Sequence, residues 1–239
     1  MQLENEVEQL ERVVVTGARG ALGSTVTETF LEAGCSVVGV DIEVEATGEL
    51  VEDAERDGLY WRHLDATDAE EVAEVVDEIR EDLGSIDALV NCAGGYRWTH
   101  IDEVDEADLD FLLGANLRSA LLLTREVLPG MKETGYGRIV LMSSKSTLNP
   151  GEGEGPYAST KAGLNALAQS AAEEVKETDI TINALLPSII DTPQNREAMP
   201  EADFSTWVER DQLAEIIFRL TQPFGDPING ALIPVAGQV

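Results

Sequence analysis

Positive charge is what this chain has least of: 16 Lys and Arg stand against 46 Asp and Glu in 239 residues, a formal net charge of -30. The acids run along the whole length rather than forming a tail, so a surface for nucleic-acid phosphates is excluded. Cysteine is nearly absent as well. Cys35 precedes an apolar run and Cys92 lies in NCAG, neither in a spacing such as C-x-x-C, so each thiol reads as buried and no metal site is expected. No run of 18 apolar residues occurs, and MQLENEVEQLERVVVTG lacks a basic stretch followed by an apolar one. A soluble, cytoplasmic protein with no membrane partner is therefore expected. No Pro/Gly/Ser-rich linker divides the chain, whose length suits one large α/β domain over residues 1–239.

Lysine is scarcer than arginine, with 4 Lys to 12 Arg. A chain this acidic repels itself in dilute buffer, where the Debye length is ~10 Å at 0.1 M salt, against ~3 Å at 1 M. The composition is similar to that of extreme halophiles that keep molar salt in the cytoplasm, and a high-salt source is expected.

What the chain does have is a rhythm. Apolar runs with little polar alternation recur at 12–17, 36–41, 58–65, 87–94, 137–144, 180–187 and 230–237. Such runs fit buried parallel strands. Helical patterns lie between them at 22–33, 68–83, 105–131, 157–178 and 209–221, with a weak one at 48–56. The alternation predicts a Rossmann-type α/β fold, a doubly wound seven-stranded parallel sheet in three α/β/α layers, with ligands at the strands' carboxyl ends.

The informative residues follow the strands. After the first comes TGARGALG, with Gly17, Gly20 and Gly23 three apart at the entry to a helix. Glycines here let the backbone turn tightly and approach a pyrophosphate, whose charge the helix N-terminus favours. The second strand ends in Asp41, placed to accept hydrogen bonds from an adenosine ribose 2′-hydroxyl and to repel a 2′-phosphate. NAD(H) is the expected cofactor, and Glu43, Glu45, Glu49, Glu52 and Asp53 add to the barrier. NADP(H) stays open because Arg19 is either a phosphate contact or a solvent-exposed loop cation.

Tyr157 and Lys161 stand four apart in YASTKAGLNALA. With 4 Tyr and 4 Lys in the chain, about 0.07 such pairs are expected by chance. Good helix formers follow Pro156, so a helix is predicted to start beyond it and to point phenol and ammonium the same way. A free tyrosine has a pKa of ~10, and a nearby cation brings it toward working pH. Taken alone, the pair reads more readily as an interfacial tyrosine beside a solvated lysine; the rest of the chain reverses that.

TGARGALG, Asp65 in LDATD, NCAG at 91–94, Asn116, Ser144, YASTK at 157–161 and PSIIDT at 187–192 stand in an order that resembles the short-chain dehydrogenase/reductase family over nearly the full length. The resemblance implies an oxidoreductase passing a hydride between a nicotinamide and a carbonyl or alcohol, with Asn116, Ser144, Tyr157 and Lys161 as catalytic residues. Tyr157 transfers the proton, Ser144 bonds the substrate oxygen, Lys161 holds the nicotinamide ribose and Asn116 binds a water linking Lys161 to solvent. Gly17, Arg19, Gly20, Ala21, Leu22 and Gly23 form the cofactor loop, with Asp41 at the ribose. Asp65 and Ala66 lie at the adenine, Asn91 steadies the sheet, and Ala93 and Gly94 leave room. Pro187, Ile190 and Thr192 line the nicotinamide, the Thr192 hydroxyl near its carboxamide. Three positions depart from the usual pattern: Ala21 and Ser188 replace glycines, and Cys92 an asparagine.

GARGALG and DTPQNREAMPEADFSTW at 191–207 are also similar to the dihydropteridine reductase branch, so a quinonoid reductase is the second reading. Ser144 favours a ketone or alcohol, because an alkoxide needs a stabiliser that a quinonoid ring does not. A non-catalytic dinucleotide sensor is a third, and the complete proton-transfer set counts against it.

Residues 188–208, with Pro193, Met199, Pro200, Phe204 and Trp207, read either as a substrate lid or as a static loop capped by Trp207. Arg97, His100, Lys145 and Arg196 fall in loops bordering the cleft. They read either as attractors of an anionic small-molecule substrate or as cations paired with surface carboxylates. Phe111, Leu112, Leu113, Leu117, Leu121, Leu122 and Leu123 give a wide apolar face. A homodimer or homotetramer is expected by resemblance, with core burial as part of the cause.

Overall fold

The computed structural model describes residues 11–47 and 50–238. Its sheet has eight strands: β1 (Arg12–Thr16), β2 (Ser36–Asp41), β3 (Val51–Glu52), β4 (Leu59–His63), β5 (Ala88–Asn91), β6 (Tyr136–Met142), β7 (Asp179–Pro187) and β8 (Leu232–Val235). They lie in the order β3-β4-β2-β1-β5-β6-β7-β8. Every pairing is parallel except β3 with β4. The helices are α1 (Ala21–Glu32), α2 (Ala69–Leu83), α3 (Glu106–Leu112), α4 (Ser119–Thr134), α5 (Gly155–Glu174), α6 (Pro193–Ala198) and α7 (Arg210–Thr221).

Val13, Val14 and Val15 of β1, like Val37, Val38 and Val40 of β2, are buried on both sides of the sheet, which is why their runs show no alternation. Val72 of α2, Leu123 of α4 and Leu164 of α5 join a core on one face. Val26 and Phe30 of α1 and Leu213 and Ile217 of α7 join the core on the other. The chain passes from β1 to β2 on one side and from β4 to β5 on the other, so a crevice opens at the carboxyl ends of β1 and β5. Among the described residues no helix is long and apolar enough to cross a membrane.

Three local expectations need correction. The weak helix at 48–56 is not formed. Residues 48 and 49, including Glu49, lie outside the described residues, and Val51–Glu52 form the antiparallel edge strand. Asp53 N–H donates to Leu59 O at 2.7 Å and Gly58 turns the chain at φ 76°. That hairpin satisfies backbone groups which one short helical turn would leave open. The helix at 105–131 runs on to Thr134 and is interrupted by a π-helical turn, Leu113–Arg118. The helix expected from 157 starts at Gly155, so Pro156 sits in its first turn, where its missing N–H costs nothing, and it ends at Glu174.

Candidate active site

Gly17 follows β1 at φ 63°, where a Cβ would stand 3.0 Å from the Ala93 backbone. A Cβ on Gly23 would come within 2.1 Å of Gly17 O, so α1 can pack against the β1 turn only without a side chain there. Gly20 is the N-cap of α1 and offers no side chain, leaving the first amides of the helix for a ligand. Beyond the turn lies a cleft of about 870 Å³, bordered by Gly17, Arg19, Gly20, Asp41, Asp65, Ala66, Ala93 and Gly94 from the expected set. Asp110, Phe111, Arg118 and Gln194 border it as well. No local signal marked these four, because they arrive from α3, the π turn and α6. Ala21, Leu22 and Gly23 follow as the first residues of α1.

Asp41 is held by backbone: its Oδ2 accepts Arg19 N–H at 2.9 Å and its Oδ1 accepts Glu43 N–H at 3.0 Å. Asp65 accepts both the N–H and the hydroxyl of Thr67, at 2.9 and 2.7 Å. Asn91 lies fully buried at the end of β5, taking a hydrogen bond from Thr16 Oγ1 at 2.8 Å. Thr16 Oγ1 in turn accepts Ala93 N–H at 3.0 Å, which ties the NCAG turn to the first strand.

At Gly94 the cleft wall backs onto the expected catalytic set. A Cβ on Gly94, which borders the cleft, would stand 2.8 Å from Asn116 Oδ1 and 2.9 Å from Lys161 Nζ, so only a glycine leaves these two buried side chains room behind the cleft wall. Asn116, in the π turn and fully buried, accepts Gly95 N–H and donates to Gly95 O, both at 2.9 Å. It also donates to Thr160 Oγ1 at 3.2 Å. A π turn adds one residue to the helical repeat and is frequent at functional sites. Lys161 is buried and donates to Met142 O, at the end of β6, at 2.8 Å. Ser143 Oγ donates to Lys161 O at 3.1 Å, pinning α5 to the strand end.

Ser144 hydrogen-bonds the Tyr157 phenol and lies 2.8 Å from Ser146 Oγ. Tyr96 meets Tyr157 edge-on, with ring centroids 4.9 Å apart. The structure thus gathers Asn116, Ser144, Tyr157 and Lys161 where β5, β6 and α5 converge.

One expected coupling is reversed. Lys161 was expected to bring the phenol toward working pH. Instead burial pushes Tyr157 up to about 12, opposed by the Ser144 hydrogen bond, and Lys161 is not among the groups acting on it. Burial also pushes Lys161 down to about 8. Desolvation disfavours both charged forms, and the ammonium is aimed at the Met142 carbonyl.

On the substrate side, Ile190 bridges to Val208, and Thr192 caps α6 by accepting Asn195 N–H at 3.1 Å. The oxygen accepts that bond and the hydroxyl keeps its hydrogen to donate elsewhere. Pro187 closes β7. Trp207 is buried and packs against Phe204, with ring centroids 4.8 Å apart. Arg196 pairs with Asp191 through two bonds of 2.6 and 2.7 Å. Arg97 pairs with Asp108 at 3.4 Å, and His100 lies 3.7 Å from Glu152. Lys145 opens a 3-10 turn. Arg97 and Arg196 follow the carboxylate-paired alternative; with both guanidinium groups about half exposed, each pair is worth little.

The short chain dehydrogenase family model matches residues 11–203. The 3-oxoacyl-[acyl-carrier-protein] reductase of Thermotoga maritima is 30% identical over 99% of this chain and 98% of its own length. The acetoacetyl-CoA reductase of Allochromatium vinosum is 28% identical, over 94% of this chain and 96% of its own. The structure of ElxO with NADP bound superposes with a TM-score of 0.86 at 24% identity, covering 96% of this chain and 98% of the other, a likeness of fold.

Proposed function

The chain belongs to the short-chain dehydrogenase family, and from that premise we propose that this nicotinamide-dependent oxidoreductase uses NAD(H) to interconvert a 3-oxoacyl thioester and its 3-hydroxy form. The single observation that carries the reading is that Gly94 both borders the glycine-lined cleft and stands against Lys161 and Asn116. The fit to a dinucleotide rests on the same ground: Gly17 and Gly23 stand where a Cβ would collide with backbone, and Gly20 leaves the α1 amides uncapped. Gly17, Gly20 and the start of α1 hold the pyrophosphate, Asp41 the ribose diol, Asp65 and Ala66 the adenine, and Lys161 the nicotinamide ribose. Pro187, Ile190 and Thr192 border the nicotinamide.

When bound, the nicotinamide supplies or takes up the hydride at the carbon bearing the reacting oxygen. Tyr157 Oη gives that oxygen its proton or removes it. Ser144 Oγ, already bonded to Tyr157, orients the same oxygen. Asn116 locks the 94–95 turn against α5 through Gly95 and Thr160, keeping Lys161 beside the cleft.

The substrate class rests on the relatives' names, which share a 3-oxoacyl thioester, and on Ser144, whose hydroxyl suits a carbonyl oxygen better than a quinonoid ring nitrogen. The quinonoid pterin reading is second, favoured by the 191–207 segment. NAD(H) is chosen because Asp41 is fixed by two backbone N–H donors and keeps lone pairs for two ribose hydroxyls. NADH-dependent loss of acetoacetyl-CoA tests the function, and its absence with every 3-oxoacyl thioester tried would refute it. In Asp41→Ala, kcat/KM for NADH is expected to fall roughly 10- to 150-fold, the worth of a hydrogen bond to a charged group at about 1.5–3 kcal/mol, while that for NADPH rises. Equal losses with both cofactors would overturn the cofactor assignment.

The net charge of -30 carries the high-salt reading. The unfolding midpoint is expected to climb as KCl goes from about 0.1 to 2 M, as screening relieves self-repulsion. A midpoint indifferent to KCl removes that reading. Assembly as a dimer or tetramer belongs to the same proposal. Leu112, Leu122 and Leu123 are buried within the subunit, Phe111 and Leu113 border the cleft, and Leu121 remains exposed on α4.

A further inference from the structure

Arginines in this chain are almost all committed. Nine have a carboxylate partner, among them Arg62 with Glu78 and Arg138 with Asp179 and Asp226. Arg19 has none among the described residues, although it follows the first strand in a protein with 46 acidic side chains. What it has is an aromatic face: its guanidinium carbon stands 3.9 Å from the Trp61 ring centroid.

That face is built. Trp61 pairs with Gly39 across β2 and β4, and a Cβ on Gly39 would come within 2.5 Å of the indole, so the ring can lie on the sheet only because residue 39 has no side chain. Trp61 Nε1 donates to Asp53 Oδ2 at 2.8 Å, which sets the ring's orientation. Asp41 lies two residues beyond Gly39 on the same strand, hence on the same face, and accepts the backbone N–H of Arg19 at 2.9 Å. Stacked guanidinium and ribose-binding carboxylate are therefore neighbours at one corner of the cleft. A 2′-phosphate at that corner meets the charge of Asp41 and needs a cation, and Arg19 is the residue whose backbone already sits there.

We infer that Trp61, oriented by Asp53, is a cofactor-specificity residue: it holds the Arg19 guanidinium on its ring, from which a 2′-phosphate beside Asp41 must draw it, reinforcing the discrimination that Asp41 makes. The inference rests on the NAD(H) reading. The stack and the phosphate compete for one cation, so weakening the stack releases Arg19 and lowers the barrier to NADP(H). Trp61 acts through Arg19 and is a positioning residue.

The test is calorimetric and needs no turnover. Adenosine 2′,5′-bisphosphate and 5′-AMP are titrated at one fixed KCl concentration into wild type, Trp61→Leu, Arg19→Ala and the double variant. Loss of a cation–π contact at a partly desolvated site corresponds to roughly 2- to 30-fold in a binding constant. Trp61→Leu should shift the ratio of the two dissociation constants toward the bisphosphate by that amount, and the double variant should return to the Arg19→Ala ratio. An unmoved ratio in Trp61→Leu overturns the inference, and so does a shift that persists in the double variant. Should Trp61→Leu fail to fold, Asp53→Ala carries the test: the same direction with a smaller shift supports the inference, and no shift overturns it. Failure of the underlying reading is scored separately, as a wild-type kcat/KM higher with NADPH than with NADH.

Discussion

Tyr157→Phe is expected to lower turnover about 10²- to 10⁴-fold, the usual worth of a positioned general acid or base, while dinucleotide affinity stays nearly intact. The substitution deletes one oxygen and keeps the ring, so the edge-on packing against Tyr96 at 4.9 Å survives. Burial holds the phenol at about 12, so it is protonated at working pH and ready to donate in the reductive direction. Donation is the step that phenylalanine cannot perform. Ser144 cannot replace it, since a neutral hydroxyl oriented by Ser146 and bonded to Tyr157 has no proton source of its own in this geometry. Steady-state reduction of a 3-oxoacyl thioester reads the loss, and NADH fluorescence titration reads the retained binding. Near-normal turnover in Tyr157→Phe removes this residue from the chemistry.

Lys161→Met should separate function from stability, abolishing most activity while making the fold sturdier at neutral pH. The lysine is buried, and burial takes its ammonium from 10.5 down to about 8. Below pH 8 the ammonium is charged in both folded and unfolded chains, so the folded state bears the full desolvation cost. That cost is roughly 3 kcal/mol at 1.36 kcal/mol per pKa unit. Above about 10.5 both states are neutral and the cost is gone, so wild-type stability rises with pH across 8 to 10.5. The advantage of the methionine variant is therefore greatest below pH 8 and shrinks through that window. It is partly offset because Met142 O loses its donor at 2.8 Å. Denaturant unfolding at pH 7 and pH 10 checks the sign; a variant less stable than wild type at pH 7 would show that the Met142 bond outweighs burial.

The two experiments bear on the coupling that the structure reverses. A cation four residues along a helix is expected to lower a phenol's pKa, yet here the ammonium is spent on a strand-end carbonyl and both groups are driven toward their neutral forms. Spacing on a helix tells which side chains share a face. It does not tell which of several neighbours a charged end will choose, because that depends on the carbonyl delivered by β6 from elsewhere in the chain.

Some features were legible because their physics is local. Buried parallel strands announce themselves as unbroken Val, Ile and Leu runs, and β1, β2, β6 and β7 fall where those runs lie. Gly17 and Gly23 are required by a turn whose partners lie within eight residues or in one adjacent loop. Tyr157 and Lys161 are set by one helix. Val51–Glu52 were not legible as a strand, since a two-residue edge exists only through its partner, and neither was the π turn that buries Asn116 against Gly95. Pairing of Arg196 with Asp191 and of Arg97 with Asp108 was open until loops were placed in space.

Fold class and family follow from residue order, because hydrophobic period, turn chemistry and helical spacing act over a few positions of chain and set the order of the motifs. Protonation of Tyr157 and Lys161, the choice of Trp61 as the partner of Arg19 and the packing of Gly94 against Asn116 and Lys161 were decided only by folding. Desolvation and stacking are properties of what surrounds a group, and those surroundings come from segments far apart in the chain, 77 residues for Thr16 and Ala93 and 189 for Ala21 and Arg210.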